Sequence, residues 1–241
     1  MPVIAIGDIH GCFTALRILE KMVPLKQGET LVTLGDYVDR GLQSREVIEW
    51  LIQYREQGGN LISLLGNHEL MMLRARRGPL ARNRWLANGG LETLRSYPLI
   101  QNEGAEGAPP QKARSLTLDE IPATHWAFLE ACLPFYETET HLFVHANFDP
   151  ALPMSEQTED SLFWQRLGNS QPHVSGKHVI CGHTPQGQGE PRALRHVTCI
   201  DTQAYAGGWL TALDVETGKC WQANENGEAR IGELELDPDA S

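Results

Sequence analysis

Three short apolar runs near the start of the chain are each followed by a polar loop that contains glycine and then by apolar residues at helical spacing. The runs cover residues 3–6, 31–34 and 61–65, and the loops begin at Gly7, Gly35 and Gly66. A repeated strand–loop–helix unit predicts parallel strands joined by crossover helices. The carboxyl ends of parallel strands lie at one edge of a sheet, so we expect the three loops to meet there. The chain is therefore predicted to be an α/β protein with a shared crevice at that edge.

The second loop, Gly35 to Gly41, places two carboxylates and one guanidinium within five residues directly after a predicted strand. Asp36 lies next to the strand end, where a carboxylate can hold a metal ion, and Arg40 can bind a phosphate through two parallel hydrogen bonds. The alternative interpretation of this loop alone is a surface turn in which an aspartate and the arginine form an ion pair. The other loops favour the functional interpretation, because they also present polar side chains suited to metal ions.

The whole chain, residues 1–241, is predicted to form one domain with a helical insertion at about 75–134. Arginines are concentrated at 74–84, which we interpret as a solvated helix face in preference to a contact for an acidic substrate. Residues 101–115 contain glycines and paired prolines without periodicity, which predicts a loop.

Helix and strand signals on either side of this insertion complete the predicted fold. Ser44 is a predicted N-cap of the helix that follows the second loop. Short strand patterns follow from Phe135, with a hairpin at Thr217–Gly218, and they suggest a second sheet packed on the first. The acidic tail from about 233 to 241 is expected to fray.

Composition excludes several classes of protein. The formal net charge is −11 and the sequence pI is about 5.3, which disfavours extended binding to nucleic-acid phosphates. The sequence predicts neither a signal peptide nor a membrane-spanning run, so no membrane partner is expected. Five cysteines without a Cys-x-x-Cys pair favour free thiols, and hence a cytoplasmic protein.

Polar residues collect at the predicted strand ends, and their types are those of metal ligands. They are Asp8, His10, Asp36, Asn67, His68, His145 and His183. One histidine after a strand is more often structural, but five strand ends with such residues are difficult to explain without a metal site. Nitrogen and oxygen donors without thiolate suit two divalent ions, with manganese expected and iron or zinc as alternatives. Two ions about 3.5–4 Å apart could hold a hydroxide between them and promote phosphoryl transfer.

Five motifs occur in an order that resembles the bacterial and phage-type branch of the phosphoprotein phosphatases, within the calcineurin-like phosphoesterase superfamily. The motifs are Gly7–Gly11, Gly35–Gly41, Gly66–Glu69, His145–Ala146 and Gly182–His183. The resemblance implies the metallophosphoesterase fold, in which two mixed β-sheets pack as a sandwich flanked by helices. It also implies hydrolysis of phosphate monoesters, chiefly phosphoserine and phosphothreonine in proteins, by direct attack of a hydroxide held by the two metal ions.

The resemblance assigns a role to each matching residue. The implied metal ligands are Asp8 and His10 at the first ion, Asp36 between both ions, and Asn67, His145 and His183 at the second. His68 would protonate the leaving oxygen, with Asp39 orienting its ring. Arg40 would bind the phosphate, together with Arg166 in the short motif Phe163–Arg166.

Two other substrate classes remain open at this stage. Symmetrical diadenosine tetraphosphate hydrolases have a similar metal core, but they generally lack the aspartate that Asp39 supplies, which favours the protein phosphatase. Small phosphate esters are a further alternative, whereas a scaffold that binds phosphorylated partners without catalysis is disfavoured because no ligand position is missing.

Some residues depart from the family pattern or have no predicted role. Asn147 and Gln203 occupy positions where related sequences tend to have glycine, and both are expected to alter the walls of the substrate cleft. His125, His173 and His196 are predicted to be surface or loop residues, outside the site.

Overall fold

The structure, a computed structural model, describes residues 2–25, 28–97, 117–168 and 171–235, so the predicted loop at 101–115 lies outside it. The strands are β1 (Val3–Ile6), β2 (Thr30–Thr33), β3 (Asn60–Ser63), β4 (Phe135–Glu137), β5 (His141–Val144), β6 (His178–Cys181), β7 (Arg192–Leu194), β8 (Val197–Cys199), β9 (Leu210–Asp214), β10 (Lys219–Ala223) and β11 (Ala229–Glu233). The α-helices are α1 (Phe13–Met22), α2 (Ser44–Glu56), α3 (Asn67–Ala75), α4 (Pro79–Trp85), α5 (Leu91–Ser96), α6 (Ala123–Glu130) and α7 (Glu159–Phe163).

The first sheet has the strand order β11-β10-β9-β1-β2-β3. Strand β1 pairs in parallel with β2, and β2 pairs in parallel with β3, with α1 and α2 as the crossovers. The predicted strand–loop–helix units are therefore confirmed, and their loops leave the same edge of the sheet.

The second sheet has the strand order β4-β5-β6-β8-β7, with β5, β6 and β8 parallel at its centre. This sheet is present as predicted, but the last three strands do not belong to it. Strands β9, β10 and β11 instead extend the first sheet by antiparallel pairing beside β1, and the predicted hairpin at Thr217–Gly218 joins β9 to β10. Strand β11 ends at Glu233, and most of the tail that the sequence predicts to fray, residues 236–241, lies outside the described residues.

The two sheets pack face to face as a sandwich. Val3 and Val32 of the first sheet belong to the same buried cluster as Phe143 and Ile180 of the second. The opposite face of the first sheet packs against α1 and α2, and α7 packs on the second sheet. Because alternate residues of a strand point to opposite faces, each central strand contributes to two apolar layers. The predicted fold class is confirmed.

Helices occupy the described parts of the region predicted as an insertion. Helix α4 leads through a π-helical segment, Leu86–Gly90, into α5, and α6 follows residues 98–116, which lie outside the described part. Arg74 and Arg76 form exposed ion pairs with Glu159 and Glu130, consistent with a solvated arginine face. Among the described helices, none has both the length and the apolar character needed to cross a bilayer.

The predicted N-cap at Ser44 is wrong by one position. Gln43 is the N-cap of α2, and Ser44 is the first helical residue, with its side chain buried. The Ser44 hydroxyl accepts a hydrogen bond from the Asp39 N–H at 3.2 Å and contacts the Thr93 hydroxyl at 3.2 Å. The side chain therefore supports the second loop instead of capping the helix.

The sequence predicts His125, His173 and His196 to be surface or loop residues. His173 and His196 do lie in loops, but His125 lies on α6, and the side chains of His125 and His173 are buried. The Nε2–H of His125 donates to Glu49 at 3.0 Å and its Nδ1 accepts from the Tyr97 hydroxyl at 2.8 Å. His173 is bonded to Ser175 and to a main-chain carbonyl. Burial is tolerated because both nitrogens of each ring have partners.

The buried His125 gives a prediction about stability and pH. Burial lowers the pKa of His125 below its ordinary value, so the unfolded chain binds a proton first as the pH falls below about 6.5. This group should therefore reduce the free energy of unfolding in acid, by up to about 1.4 kcal/mol per pH unit. Glutamine at position 125 keeps one donor and one acceptor but does not titrate. Urea unfolding of chelator-treated protein from about pH 7 to about pH 5.5 should show a shallower loss of stability in His125→Gln than in the wild type. Equal slopes would contradict this account of His125.

Candidate metal centre and active site

The backbone conformation singles out the residues that the sequence assigns to the site. Six described residues other than glycine have positive φ angles: His10, Asp36, Asp39, Arg40, His183 and Gln203. A left-handed conformation costs a residue with a Cβ roughly 1–2 kcal/mol, and such strain is concentrated at functional sites. Five of the six are predicted site residues, and the sixth is the position where related sequences tend to have glycine.

Loops at the ends of five strands bring the predicted ligands together. Asp8 and His10 follow β1, Asp36 follows β2, Asn67 begins α3 after β3, and His145 and His183 follow β5 and β6. The first and third loops pack directly on the second. A Cβ at Gly66 would lie 2.2 Å from Asp36 Oδ1, so the motif requires glycine there. His68 and Glu69 follow Asn67 into α3, so their backbone is fixed by the helix.

Three of the histidines are held by hydrogen bonds to main-chain carbonyl groups. These bonds run from His10 Nδ1 to Val38 at 2.8 Å, from His145 Nδ1 to Leu34 at 2.8 Å, and from His183 Nε2 to Trp164 at 3.1 Å. A ring nitrogen that donates to a carbonyl carries the proton, so the other nitrogen presents a lone pair. This arrangement is typical of histidines that bind metals through the remaining nitrogen.

The free lone pairs of His145 and His183 face oxygen atoms that also lack a proton, whereas the lone pair of His10 faces both Asp36 and the Arg40 guanidinium. Asn67 Oδ1 lies 2.9 Å from His145 Nε2 and 3.0 Å from His183 Nδ1. Asp36 Oδ1 lies 3.4 Å from His145 Nε2, and Asp36 Oδ2 lies 3.3 Å from His10 Nε2. Lone pairs at these distances repel each other unless a cation lies among them. The donor set therefore fits divalent metal ions with nitrogen and oxygen ligands.

Among the described residues, two groups of ligand atoms share Asp36. The atoms of each group lie within 4.8 Å of one another, and the groups are His10, Asp36 and His68, and Asp36, His145 and His183. Among the described residues Asp8 belongs to neither group, and its carboxylate accepts the His183 main-chain N–H at 3.0 and 3.1 Å. Two neighbouring clusters with one common carboxylate fit a pair of ions bridged by Asp36.

The electrostatics of the site also favour cations. Burial raises the pKa of Asp8, and the nearby Asp201 and Asp36 raise it further. Burial also raises the pKa of Asp201, to about 6. Burial alone would raise the pKa of Asp36, but the surrounding imidazoles, His145 first, lower it below its ordinary value. Three buried carboxyl groups close to one another are stabilised in the ionised form by bound metal ions.

His68 and Asp39 form a buried hydrogen-bonded pair. His68 Nδ1 donates to Asp39 Oδ2 at 2.7 Å, and His68 Nε2 lies 4.0 Å from Asp36 Oδ2. Burial opposes protonation of the ring, but Asp36 and Asp39 raise the pKa of His68 above its ordinary value. With Nδ1 bonded to Asp39, His68 directs Nε2 toward the metal ligands, which is the orientation that a general acid needs.

The two predicted phosphate-binding arginines lie in different surroundings. The Arg40 guanidinium lies 4.3 Å from the centre of the Tyr205 ring, and its Nη1 is 3.0 Å from His10 Nε2. Arg166 lines a cavity of about 350 Å³, and its main-chain oxygen accepts from Asn147 at 3.1 Å. Asn147, a predicted departure from the family pattern, therefore supports the backbone of the second arginine.

Glu69 is a site residue whose role sequence reasoning missed, although it belongs to the third motif. Its buried carboxylate accepts four main-chain N–H groups, from Asp36 and Gly66 at one oxygen and from Tyr37 and Val38 at the other. Burial and the Asp36 charge raise the pKa of Glu69, whereas the N–H donors oppose this shift. Glu69 therefore fixes the loop that holds the shared metal ligand.

Four further residues at the site have no predicted role. Trp85 and Thr93 donate hydrogen bonds to Asp39. The Tyr205 ring lies 5.0 Å from the His10 ring in a T-shaped arrangement, and Asp201 is buried nearby. No pattern in the sequence marks the first two, because they lie in the helical region at a large separation from the strand-end loops.

Together, the packed sheets and the clustered ligands define the class of metallophosphoesterases. A family model described as calcineurin-like phosphoesterase matches residues 1–203, and the chain belongs to that family. The resemblance found in the sequence is thereby confirmed.

Relatives with different substrates match the chain over different lengths. The chain is 32% identical over 218 residues to serine/threonine-protein phosphatase 1 of Salmonella typhimurium strain LT2, covering 88% of this chain and 90% of the relative. It is 40% identical over 79 residues to a symmetrical bis(5'-nucleosyl)-tetraphosphatase of Chromobacterium violaceum, covering 32% of this chain and 27% of that protein. The crystal structure of a cold-active protein tyrosine phosphatase has the same fold, with a TM-score of 0.64 at 18% identity, covering 95% of this chain and 78% of that one.

Proposed function

We propose that this chain hydrolyses phosphate monoesters with the help of two divalent metal ions, and that its substrates are phosphoserine and phosphothreonine in proteins. The hydrogen bond of 2.7 Å between His68 and Asp39 is the observation that supports this proposal most strongly. An alkoxide leaving group must be protonated, and this pair supplies a positioned acid for it. The near full-length similarity to a bacterial serine/threonine phosphatase supports the same substrate class.

In the proposed reaction, each polar side chain of the site has a separate task. Arg40 and Arg166 bind the equatorial phosphate oxygens and stabilise the charge that these oxygens carry in the transition state. His68 donates the proton on Nε2 to the leaving oxygen, while Asp39 holds the opposite side of the ring.

The metal ligands in this proposal are those that the sequence predicts. Asp8 and His10 would hold the first ion, Asp36 would bridge, and Asn67, His145 and His183 would hold the second. Bound divalent ions would supply Lewis-acid stabilisation of the phosphate and a water nucleophile of lowered pKa. Nitrogen and oxygen donors without thiolate suit manganese, which is the proposed metal, and iron and zinc are the alternatives. The five free cysteines support a cytoplasmic location.

Removal of the metal should abolish turnover reversibly. Protein stripped with a chelator is expected to lose more than about 99% of its activity on 4-nitrophenyl phosphate, because the Lewis-acid contribution is worth several kcal/mol. Readdition of manganese should restore it, and calcium serves as the matched control because it prefers oxygen ligands. Full activity in the stripped, metal-free protein would overturn the proposal of a metal-dependent phosphatase.

A second candidate function is hydrolysis of diadenosine tetraphosphate. The local similarity to symmetrical bis(5'-nucleosyl)-tetraphosphatases favours this candidate. The kcat/KM values for a phosphoserine peptide and for diadenosine tetraphosphate separate the two functions. We expect the peptide to be the better substrate, and a preference for the dinucleotide by orders of magnitude would establish the second candidate instead.

A further inference from the structure

The segment from Trp85 to Thr93 packs on the part of the second loop that carries Asp39 and Arg40. Within it, the π-helical segment Leu86–Gly90 leaves helical geometry at Asn88 and Gly89. At this bend the Gly89 carbonyl accepts the Arg40 N–H at 3.2 Å. The irregular turn therefore makes a main-chain contact with one of the left-handed residues of the site.

Two side chains at the ends of this segment bind the carboxylate of Asp39. Trp85 Nε1–H donates to both oxygens, at 2.9 Å to Oδ1 and 3.0 Å to Oδ2. The Thr93 hydroxyl donates to Oδ1 at 2.7 Å and lies 2.8 Å from the Asp39 N–H. With His68 on Oδ2, the carboxylate has three side-chain donors, and all four of these side chains are buried. The donors fix the carboxylate plane, and thereby the direction from which it can hold the His68 ring.

The backbone of the segment leaves little freedom in this contact. Gly89 has a φ of +106°, and a Cβ there would lie 2.8 Å from the Arg40 nitrogen. A Cβ at Gly90 would lie 2.5 Å from the Trp85 ring. Paired glycines thus allow the segment to approach both the second loop and its own tryptophan, and larger residues would separate them.

We propose that Trp85 and Thr93 are positioning residues, which hold Asp39 so that His68 can deliver its proton to the leaving oxygen. This inference rests on the proposed phosphatase function. It assigns to the helical region from α4 to α5 a part in catalysis that acts through Asp39 and without contact with the substrate. The same segment also sets the backbone of Arg40 through the Gly89 carbonyl.

A positioning role and a purely structural role differ in their dependence on the leaving group. The 4-nitrophenolate ion leaves without a proton, whereas the alkoxide of serine requires one. A structural defect should slow both substrates by the same factor. Misplacement of the His68–Asp39 pair should slow the phosphoserine peptide far more than 4-nitrophenyl phosphate.

The test uses manganese-loaded full-length variants. Thr93→Val keeps the shape of the side chain but removes the hydroxyl, and Trp85→Phe removes the indole N–H. We expect kcat for the phosphoserine peptide to fall by about 10- to 100-fold in each, and kcat for 4-nitrophenyl phosphate by less than about 3-fold. Thr93→Ser, which retains the hydroxyl, should recover most of the peptide activity. Trp126→Phe, a buried tryptophan on α6 with no contact to Asp39, should leave the ratio of the two substrates unchanged.

The metal content and the melting temperature of each variant are measured in parallel. Two bound ions with a changed substrate ratio and rescue by Thr93→Ser would confirm the positioning role. Equal losses on both substrates, or no rescue by serine, would overturn it while leaving the proposed function intact. Failure of the proposed function itself would appear separately, as wild-type protein that does not hydrolyse 4-nitrophenyl phosphate when loaded with manganese.

Discussion

Replacing His68 with asparagine is expected to reduce kcat for a phosphoserine peptide by about 10²- to 10⁴-fold, with both metal ions still bound. The reason is that the variant loses the imidazolium that Asp39 holds at 2.7 Å, while the ligands of the proposed metal pair are unchanged. Turnover of 4-nitrophenyl phosphate should fall much less, because its leaving group does not need a proton. The measurement is steady-state kinetics on both substrates together with metal analysis.

The control for this variant is His173→Asn, which removes a buried histidine whose three hydrogen bonds lie outside the ligand groups. It should leave kcat and metal content at the wild-type values. Unchanged turnover in His68→Asn would remove His68 from the mechanism. Loss of one ion in His68→Asn would show that His68 is a metal ligand and not the general acid, because His68 also belongs to one of the two ligand groups.

Asp36→Asn should give the second large effect, a loss of about 10³-fold or more in activity on 4-nitrophenyl phosphate. Asp36 belongs to both ligand groups, and its two oxygens face His10 and His145. Asparagine has the same shape, but its amide nitrogen cannot bind a cation and its charge is zero. Metal analysis should therefore find fewer than two ions per chain, and the loss should affect good and poor leaving groups alike.

Asp201→Asn is the matched control for this loss of charge. Asp201 is also a buried carboxyl of the site, but it is not one of the proposed metal ligands. We expect this variant to retain two ions. Full metal content and wild-type turnover in Asp36→Asn would mean that the shared carboxylate has no bridging role.

The sequence predicted the strand-end loops because their signal is local. A buried strand is a short apolar run, and the glycines that bound the polar residues after it are adjacent in sequence. Parallel pairing then places these loops at one edge without any knowledge of long-range contacts. This is why Asp36 and His145, which are far apart in the chain, could be expected to meet.

Residues whose role depends on tertiary contacts could not be predicted in the same way. Trp85 and Thr93 reach Asp39 from a helical region whose path is set by an irregular turn at Gly89, and helical periodicity does not predict such a turn. His125 is hydrogen-bonded to Glu49 on α2 and to Tyr97 directly after α5. Because both partners are distant in the chain, no local sequence pattern predicts that His125 is buried.

The sequence could not predict which sheet the last strands join, for a related reason. Strand β11 is largely exposed, so it lacks the apolar pattern that identifies buried strands. One partner of β9 is β1, about two hundred residues earlier, and alternation along a strand does not determine which strand it pairs with.

The most direct test of the proposed metal pair is anomalous diffraction from a crystal of the protein soaked in manganese. We predict two peaks about 3.5–4 Å apart, one on each side of the Asp36 carboxylate, with His10 at one ion and His145 and His183 at the other. A single peak, or peaks that do not share Asp36 as a ligand, would contradict the dinuclear centre on which the proposed function depends.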